Sequence, residues 1–246
     1  MFSKNKPMWG KKTKLKSSYD VVLIGGGLHS LATAYYLAKE HGITDVAIIE
    51  KNYIGYGGAG RNTAIVRANQ RTQHNVPLYK EALDLWPVLT KELDYNLMFN
   101  NCGNLNLMHS EAAMNAARMN VATAQFHGVE SHLIDAKEAK ELVPALNISD
   151  DITFPIHGAM YHPPGGVVRH DAVVWGLAKG AAKMGVEIHQ HTEATGIQTK
   201  NGKVTAVVTD KGVINTKQVL LSAGGYSAAL IHGFLGIKLP ISVLTI

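Results

Sequence analysis

The stretch that decides the fold is YDVVLIGGGLHSLATAYYLAKEHGITDVAIIE, residues 19–50. Residues 21–24 form an unbroken apolar run, which is typical of a parallel strand buried on both faces. Glycines follow at once, and behind them apolar residues recur at helical spacing until another glycine ends the pattern. A second apolar run, residues 46–49, ends on Glu50. The stretch therefore predicts a βαβ unit and an α/β fold of the Rossmann type.

The turn inside this unit has the pattern G-x-G-x-x-S, from Gly25 to Ser30. The first glycine allows a tight turn, the next lets the backbone approach a pyrophosphate, and the helix start offers free N–H groups. Glu50 can accept hydrogen bonds from a ribose, whereas Ser30 replaces the third glycine and costs some closeness of helix to sheet. A glycine-rich loop without a ligand is the alternative, but the strands, the helix and the acid together favour a dinucleotide. The residues predicted to bind it here are Gly25, Gly26, Gly27, His29, Ser30, Glu50 and Lys51.

A second glycine-rich loop follows and reads KNYIGYGGAGRNTAIVR, residues 51–67. Such a loop brings bare backbone against a flat ligand and presents guanidinium groups from Arg61 and Arg67. A flexible surface loop is the alternative. The position of the loop directly after the ribose-binding acid favours ligand binding.

Composition limits the classes of function. The net charge of +5 comes from six lysines that precede the first acid, and without them 18 basic residues face 19 acidic ones. A near-neutral body predicts no nucleic-acid binding. No stretch is long and apolar enough for a membrane span or a signal peptide, and the single cysteine excludes an intrachain disulfide. We expect a cytoplasmic protein.

The remaining patterns predict two domains. A basic extension (1–17) precedes a discontinuous dinucleotide-binding domain (18–88 and 154–234), which is interrupted by part of an α+β domain (89–153 and 235–246). Pro87 is expected to kink or divide a helix over residues 78–93, and Asp135 with Glu138 forms a capping box. His189 and His191, on one predicted strand face, lack a third ligand, so we predict surface histidines and no metal site.

Two more backbone features complete the pattern. His170 stands at a helix start after a Gly-Gly turn, where the carboxylate of Asp171 could orient its ring. The buried strand 219–222 runs into a second close backbone approach at Gly224.

These motifs resemble the D-amino-acid-oxidase-like FAD-dependent oxidoreductases, and among them the β subunits of heterotetrameric sarcosine oxidases. The matching stretches are YDVVLIGGG, LATAYYLAKEHGIT, GRNTAIVR, RHDAVVWG and VLLSAGG, which run from residue 19 to residue 225. The first motif is common to many FAD and NAD enzymes. GRNTAIVR and GGVVRHDAV together are much more specific.

The resemblance implies an FAD-binding domain with an inserted substrate domain, and oxidative demethylation of sarcosine to glycine. It assigns the carboxylate of the substrate to Arg67 and a covalent FMN to His170, at the interface with an α subunit. Relatives with covalent FAD attach it to a histidine around Gly60 or to a cysteine far downstream. The resemblance therefore implies non-covalent FAD, because this chain has glycine at the first position and its only cysteine is Cys102. It adds these FAD-binding residues: Gly57, Gly58, Arg61, Asn62, Thr63 and Gly224.

Relatives of this kind continue beyond the position of Ile246, so the resemblance implies an incomplete substrate domain and a chain that is a fragment. Dimethylglycine and proline are alternative substrates, because an arginine that binds a carboxylate serves all three. A non-catalytic flavin-binding interaction subunit is a second alternative. A flavoprotein that modifies tRNA is a third, suggested only by the lysine-rich extension.

Overall fold

The computed structural model describes residues 13–70 and 72–242. Its strands are β1 Val21–Ile24, β2 Val46–Glu50, β3 Ile65–Val66, β4 Asn104–Met108, β5 His132–Ile134, β6 Gly158–His162, β7 Gly166–Val167, β8 Glu187–Gln190, β9 Ala194–Lys200, β10 Lys203–Thr209, β11 Gly212–Asn215 and β12 Gln218–Leu221. Its α-helices are α1 Leu28–His41, α2 Val76–Glu92, α3 Glu111–Phe126, α4 Ala136–Leu142, α5 His170–Lys183 and α6 Ser227–Leu235. The chain divides into two compact units, one of residues 1–62, 93–95 and 170–246 (unit 1) and one of residues 63–92 and 96–169 (unit 2).

Unit 1 is built on a parallel sheet with the strand order β12-β1-β2-β8. Strands β1 and β2 are buried almost throughout, as their apolar runs predict. One face of the sheet packs on the antiparallel sheet β9–β11, where Val207 and Ile214 contact Val22 and Ile49. Helices α1 and α5 pack together closely, because the hydrogen of Gly180 leaves room for the ring of Tyr35. The predicted α/β class and the βαβ unit are confirmed.

Unit 2 mixes helices with short antiparallel strands in the order β4-β6-β5, beside a two-stranded pair of β3 and β7. Helix α2 is continuous through Pro87, so the proline does not divide it. The capping box of α4 is present: Asp135 accepts from the N–H of Glu138, whose carboxylate accepts from the N–H of Asp135.

The unit boundaries differ from the predicted domain boundaries. Residues 154–169 were assigned to the dinucleotide-binding domain, yet β6 is the central strand of the unit 2 sheet and β7 pairs with β3. Residues 63–88 also belong to unit 2, where Val76 and Leu83 of α2 share a core with Ala124 of α3. Residues 235–242 fall in unit 1. Strand pairing between distant segments leaves no local pattern, so the sequence alone does not indicate the boundaries of these units.

A partly buried polar network ties the N-terminal segment to unit 1. Glu187 accepts hydrogen bonds from the hydroxyl of Tyr19 at 2.7 Å and from Thr13 at 3.0 Å, and it pairs with Lys16 at 2.8 Å. Burial raises the pKa of Tyr19 to about 12. Burial would also raise the pKa of Glu187, but these hydrogen bonds outweigh it and lower that pKa. The end of the predicted extension, residues 13–17, is therefore docked on the fold, and residues 1–12 lie outside the described part.

His189 belongs to the same network, which corrects its prediction as a surface residue. It is 8% exposed, and its Nε2 lies 3.0 Å from the hydroxyl of Tyr19 and 3.2 Å from Glu187. His191 lies after the end of β8 with a φ of 53°, so the two histidines do not share a strand face. No group of three potential metal ligands occurs in the described ranges 13–70 and 72–242.

His162 is the fully buried polar anchor of unit 2. Its Nε2 accepts the N–H of Ala68 at 3.2 Å, so its Nδ1 carries the proton and donates to the carbonyl of Glu130. Burial lowers the pKa of His162, an effect that this bond to Glu130 only partly offsets. The imidazole must stay neutral, because a proton on Nε2 would face the N–H of Ala68.

We expect acidification to destabilise the protein through His162. The unfolded chain takes up a proton near the ordinary pKa of 6.5, whereas the native imidazole resists protonation because its pKa is lower. The stability that neutral His162 contributes is complete above that pH and is lost as the pH falls below it. One such proton gives a slope of up to about 1.4 kcal/mol per pH unit.

Urea unfolding measured from about pH 7.5 to about pH 5 checks this expectation. His162→Gln should lower the free energy of unfolding at neutral pH by about 1–3 kcal/mol and reduce its slope with pH. His189, whose pKa burial also lowers, should contribute a slope of the same sign. The matched control is the exposed His74, whose change to glutamine should alter neither value. An unchanged slope in His162→Gln would contradict the assignment.

Candidate dinucleotide site

The turn between β1 and α1 admits only glycine at its first two positions. Gly25 has a φ of +111°, and a Cβ there would lie 2.4 Å from the carbonyl oxygen of Ser222. A Cβ on Gly26 would lie 2.9 Å from the Cβ of Glu50. The turn is therefore pressed between the ends of the strands on both sides, β12 and β2.

The start of α1 has free hydrogen-bonding capacity. Gly27 is its extended N-cap residue, without a side-chain cap, and the first turn of the helix contains no acidic residue. The first N–H groups of a helix lack intrahelical partners and carry the positive end of the helix dipole. A Cβ on Gly27 would meet only Ala59, at 4.0 Å. This bare, positive backbone fits the diphosphate of a dinucleotide.

Glu50 holds the glycine turn in place. Its Oε2 accepts from the N–H of Gly26 and its Oε1 from the N–H of Asn52, each at 2.8 Å. A carboxylate has about four lone-pair positions, so both oxygens keep capacity for a ribose hydroxyl. The sequence indicated the ribose role but not this structural one, which depends on the distance between two strand ends.

The second glycine-rich loop reaches the same edge of the sheet, because Gly55 donates its N–H to the carbonyl of Gly26 at 2.9 Å. Side chains added at Gly57 or Gly58 would meet nothing within 4 Å, so this backbone is bare. The amide of Asn62 donates to the carbonyl of Gly58 at 2.9 Å and braces the loop from within.

Gly224 adds a third bare segment. It follows β12, has a φ of +58°, and has open space where a side chain would be. Since β12, β1 and β2 are parallel, their carboxyl ends meet at one edge, where dinucleotides bind in folds of this kind. The structure therefore brings together the glycines of all three predicted segments.

Cations and aromatic rings surround this edge. The guanidinium carbon of Arg61 lies 4.3 Å from the ring centre of Tyr56, and the ammonium of Lys51 lies 5.6 Å from that of Tyr226. His29 lies in the first turn of α1, beside a groove that also contacts Tyr36. Neither Tyr56 nor Tyr226 was predicted, because an exposed aromatic residue in a loop leaves no periodic signal.

Ser30 is the poorest fit in the turn. It is fully buried, and its hydroxyl has no hydrogen-bond partner among residues 13–70 and 72–242. The sequence predicts some loss of closeness between helix and sheet at this position, and the structure adds an unsatisfied hydroxyl at the base of α1.

His170 and Arg67 occupy different units. His170 begins α5 in unit 1, and its Nδ1 accepts the N–H of Asp171 at 2.7 Å. The carboxylate of Asp171 is 3.8 Å away from that nitrogen, so the backbone rather than the carboxylate orients the ring, which corrects the prediction. Thr63 and Arg67 belong to unit 2, where Arg67 follows β3 and is partly buried.

Gly25–Gly27, Gly57–Gly58 and Gly224 lie together at the carboxyl ends of the parallel strands and form what we call the glycine edge. This edge and the fold define a dinucleotide-binding α/β protein, and comparison with known proteins specifies the family. Residues 20–245 match the FAD dependent oxidoreductase family (DAO), and the chain belongs to it. The chain is 43% identical to the sarcosine oxidase subunit beta of Arthrobacter sp over 226 residues, which are 92% of this chain and 56% of that protein. Identity to the sarcosine oxidase subunit beta of Rhizobium meliloti (strain 1021) is 43% over 235 residues, 96% of this chain and 56% of the relative.

A solved structure supports the same placement. The L-proline dehydrogenase of P.horikoshii superposes with a TM-score of 0.82 at 28% identity, over 91% of this chain and 57% of that one. The chain spans 56% of the length of each of these two sarcosine oxidase β subunits. In the described ranges, none of the helices has the length and apolarity that crossing a membrane requires.

We expect Ser30→Ala to stabilise the protein. Removing an unsatisfied buried hydroxyl and adding a better helix former should raise the free energy of unfolding by about 1 kcal/mol. Ser227 is the matched control, because its hydroxyl accepts the N–H of Ala223 at 3.2 Å. Ser227→Ala should therefore lower the free energy of unfolding by about 0.5–1.5 kcal/mol. Denaturant unfolding measures both, and equal losses in the two variants would show that Ser30 has a partner.

Proposed function

We propose that this chain is the FAD-binding β subunit of a hetero-oligomeric sarcosine oxidase. The observation that carries the proposal is the glycine edge of unit 1, in a chain that is 43% identical to sarcosine oxidase β subunits over more than nine tenths of its length. The N–H groups at the start of α1 would hold the diphosphate, and Glu50 would hold the ribose.

Bound FAD would supply the two-electron acceptor for oxidation of the N-methyl group of the substrate. The chain itself supplies binding and orientation. The bare backbone at Gly57, Gly58 and Gly224 lets a flat ring system approach closely, and Arg61, Asn62 and Thr63 complete the proposed FAD-binding set. We propose non-covalent FAD, because Gly60 offers no side chain for attachment. The backbone has no room for one there, since a Cβ on Gly60 would lie 2.3 Å from the carbonyl oxygen of Gly55.

Arg67 is proposed to bind the substrate carboxylate. A guanidinium binds a carboxylate through two parallel hydrogen bonds, which a lysine ammonium cannot reproduce. This interaction selects amino acids but not one amine, so sarcosine, dimethylglycine and proline have to be ranked by their kcat/KM values.

Arg67→Lys in the full-length protein, co-expressed with its partner subunit, should raise the KM for sarcosine roughly tenfold or more and leave FAD content unchanged. Sarcosine-dependent flavin reduction measures the first quantity, and the absorbance of the purified protein measures the second. Arg118→Lys on the exposed side of α3 is the matched control. Equal KM values in Arg67→Lys and wild type would remove Arg67 from the substrate site. FAD binding without flavin reduction by any of the three amines would favour the non-catalytic subunit.

His170 is proposed to carry a covalently attached FMN at the contact with an α subunit. The N–H of Asp171 donates to Nδ1, so a covalent linkage would use Nε2. The side chain is 29% exposed, so a ligand can reach the ring.

Denaturation of the co-expressed complex in acid tests the linkage. We expect flavin fluorescence on the band of this chain in the wild type and in His232→Ala, an exposed histidine of α6, but not in His170→Ala. Fluorescence that persists in His170→Ala, or that is absent from the wild type, would contradict the FMN assignment.

A further inference from the structure

Lys51 and Tyr226 connect two strand ends that are not neighbours. Lys51 directly follows β2, and Tyr226 ends the short helical turn after β12. Strand β1 lies between β2 and β12. Neighbouring strands are about 4.8 Å apart, so the two side chains together span roughly 10 Å. Their cation–π contact, 5.6 Å from the ammonium to the ring centre, therefore crosses the carboxyl end of β1.

The carboxyl end of β1 is where the glycine turn begins. Gly25 and Gly26 follow β1, and Gly27 caps the helix whose first N–H groups are free. The contact between Lys51 and Tyr226 thus passes over the backbone that is proposed to receive the diphosphate. Glu50, the neighbour of Lys51, accepts a hydrogen bond from the N–H of Gly26. This bond fixes the backbone from which the side chain of Lys51 extends.

We propose that Lys51 supplies the positive charge that pairs with the diphosphate of FAD, and that Tyr226 is a positioning residue that holds Lys51 over the glycine turn. This inference rests on the proposed function. A diphosphate carries two negative charges, and the first turn of α1 contributes N–H groups but no cationic side chain other than a histidine. An ammonium held above the turn completes the site.

The contact with the ring is compatible with a bond to a phosphate. A cation–π contact leaves the donor hydrogens of the ammonium unused, and Tyr226 is 71% exposed. Because an ammonium carries three donor hydrogens, Lys51 can keep the ring contact and donate to a phosphate oxygen at the same time. Without FAD, the ring restricts a flexible side chain to the correct side of the site, which lowers the entropy that binding would otherwise cost.

The test measures the dissociation constant of FAD by fluorescence, with the full-length protein and without any turnover. Lys51→Gln should raise Kd roughly tenfold and reduce its dependence on salt. Tyr226→Ala should raise it about two- to fivefold, whereas Tyr226→Phe, which keeps the ring, should match the wild type. Lys217→Gln is the matched control, because it removes an exposed charge just before β12, at the amino-terminal end of the strands and away from the glycine turn.

The double variant Lys51→Gln/Tyr226→Ala separates positioning from direct binding. If Tyr226 acts only through Lys51, the Kd of the double variant equals the Kd of Lys51→Gln. Multiplied effects, or a loss in Tyr226→Phe equal to that in Tyr226→Ala, would overturn the positioning role. Normal FAD affinity in Lys51→Gln would overturn the whole inference and leave the proposed function standing. A wild-type protein that binds no FAD would overturn both.

Discussion

The close approach of three strand ends around Gly25 and Gly26 is the constraint on which the rest of unit 1 depends. On one side, Gly25 lies against the carbonyl of Ser222, and on the other, Gly26 lies against Glu50. Backbone pairing sets the spacing of β12, β1 and β2, and neither position then has room for a Cβ, so only glycine fits at this edge. The direction of α1, and with it the direction of its free N–H groups, follows from that turn.

Glu50 links this constraint to function. The carboxylate anchors the turn through the N–H of Gly26 and retains lone pairs for a ligand. A residue that both shapes the site and binds within it keeps the site formed in the absence of ligand, which lowers the cost of binding. Ser30 shows the opposite case, because its buried hydroxyl adds volume and desolvation without a hydrogen bond.

Polar groups inside the two units divide into those that are satisfied and those that are not. His162 in unit 2 uses both ring nitrogens, and Glu187 in unit 1 receives several donors. His162 is fully buried, the side chain of Glu187 is 12% exposed, and both lie where separate segments of the chain meet. Such groups fix one arrangement of the segments, because any shift would leave a buried donor or acceptor unpaired.

The sequence by itself determined the features that depend on neighbours in the chain. The apolar runs of β1 and β2, the glycine turn, the amphipathic helix and the acid at the end of β2 all lie within residues 19–50, and their order predicts the βαβ unit and its ligand class. The capping box of α4 was predicted for the same reason, since its partners are three residues apart. The glycine segments of the candidate site could be named because bare backbone is visible as composition.

Only the tertiary structure decided which distant segments pair. It moved β6 and α2 into unit 2, buried His189 beside Tyr19 and Glu187, and placed Lys51 against Tyr226. Tyr19 and Glu187 are 168 residues apart, and no periodicity relates them. The physical reason is that hydrophobic periodicity reports how a segment is buried but not against which partner. The partner is chosen by strand pairing and packing over the whole unit.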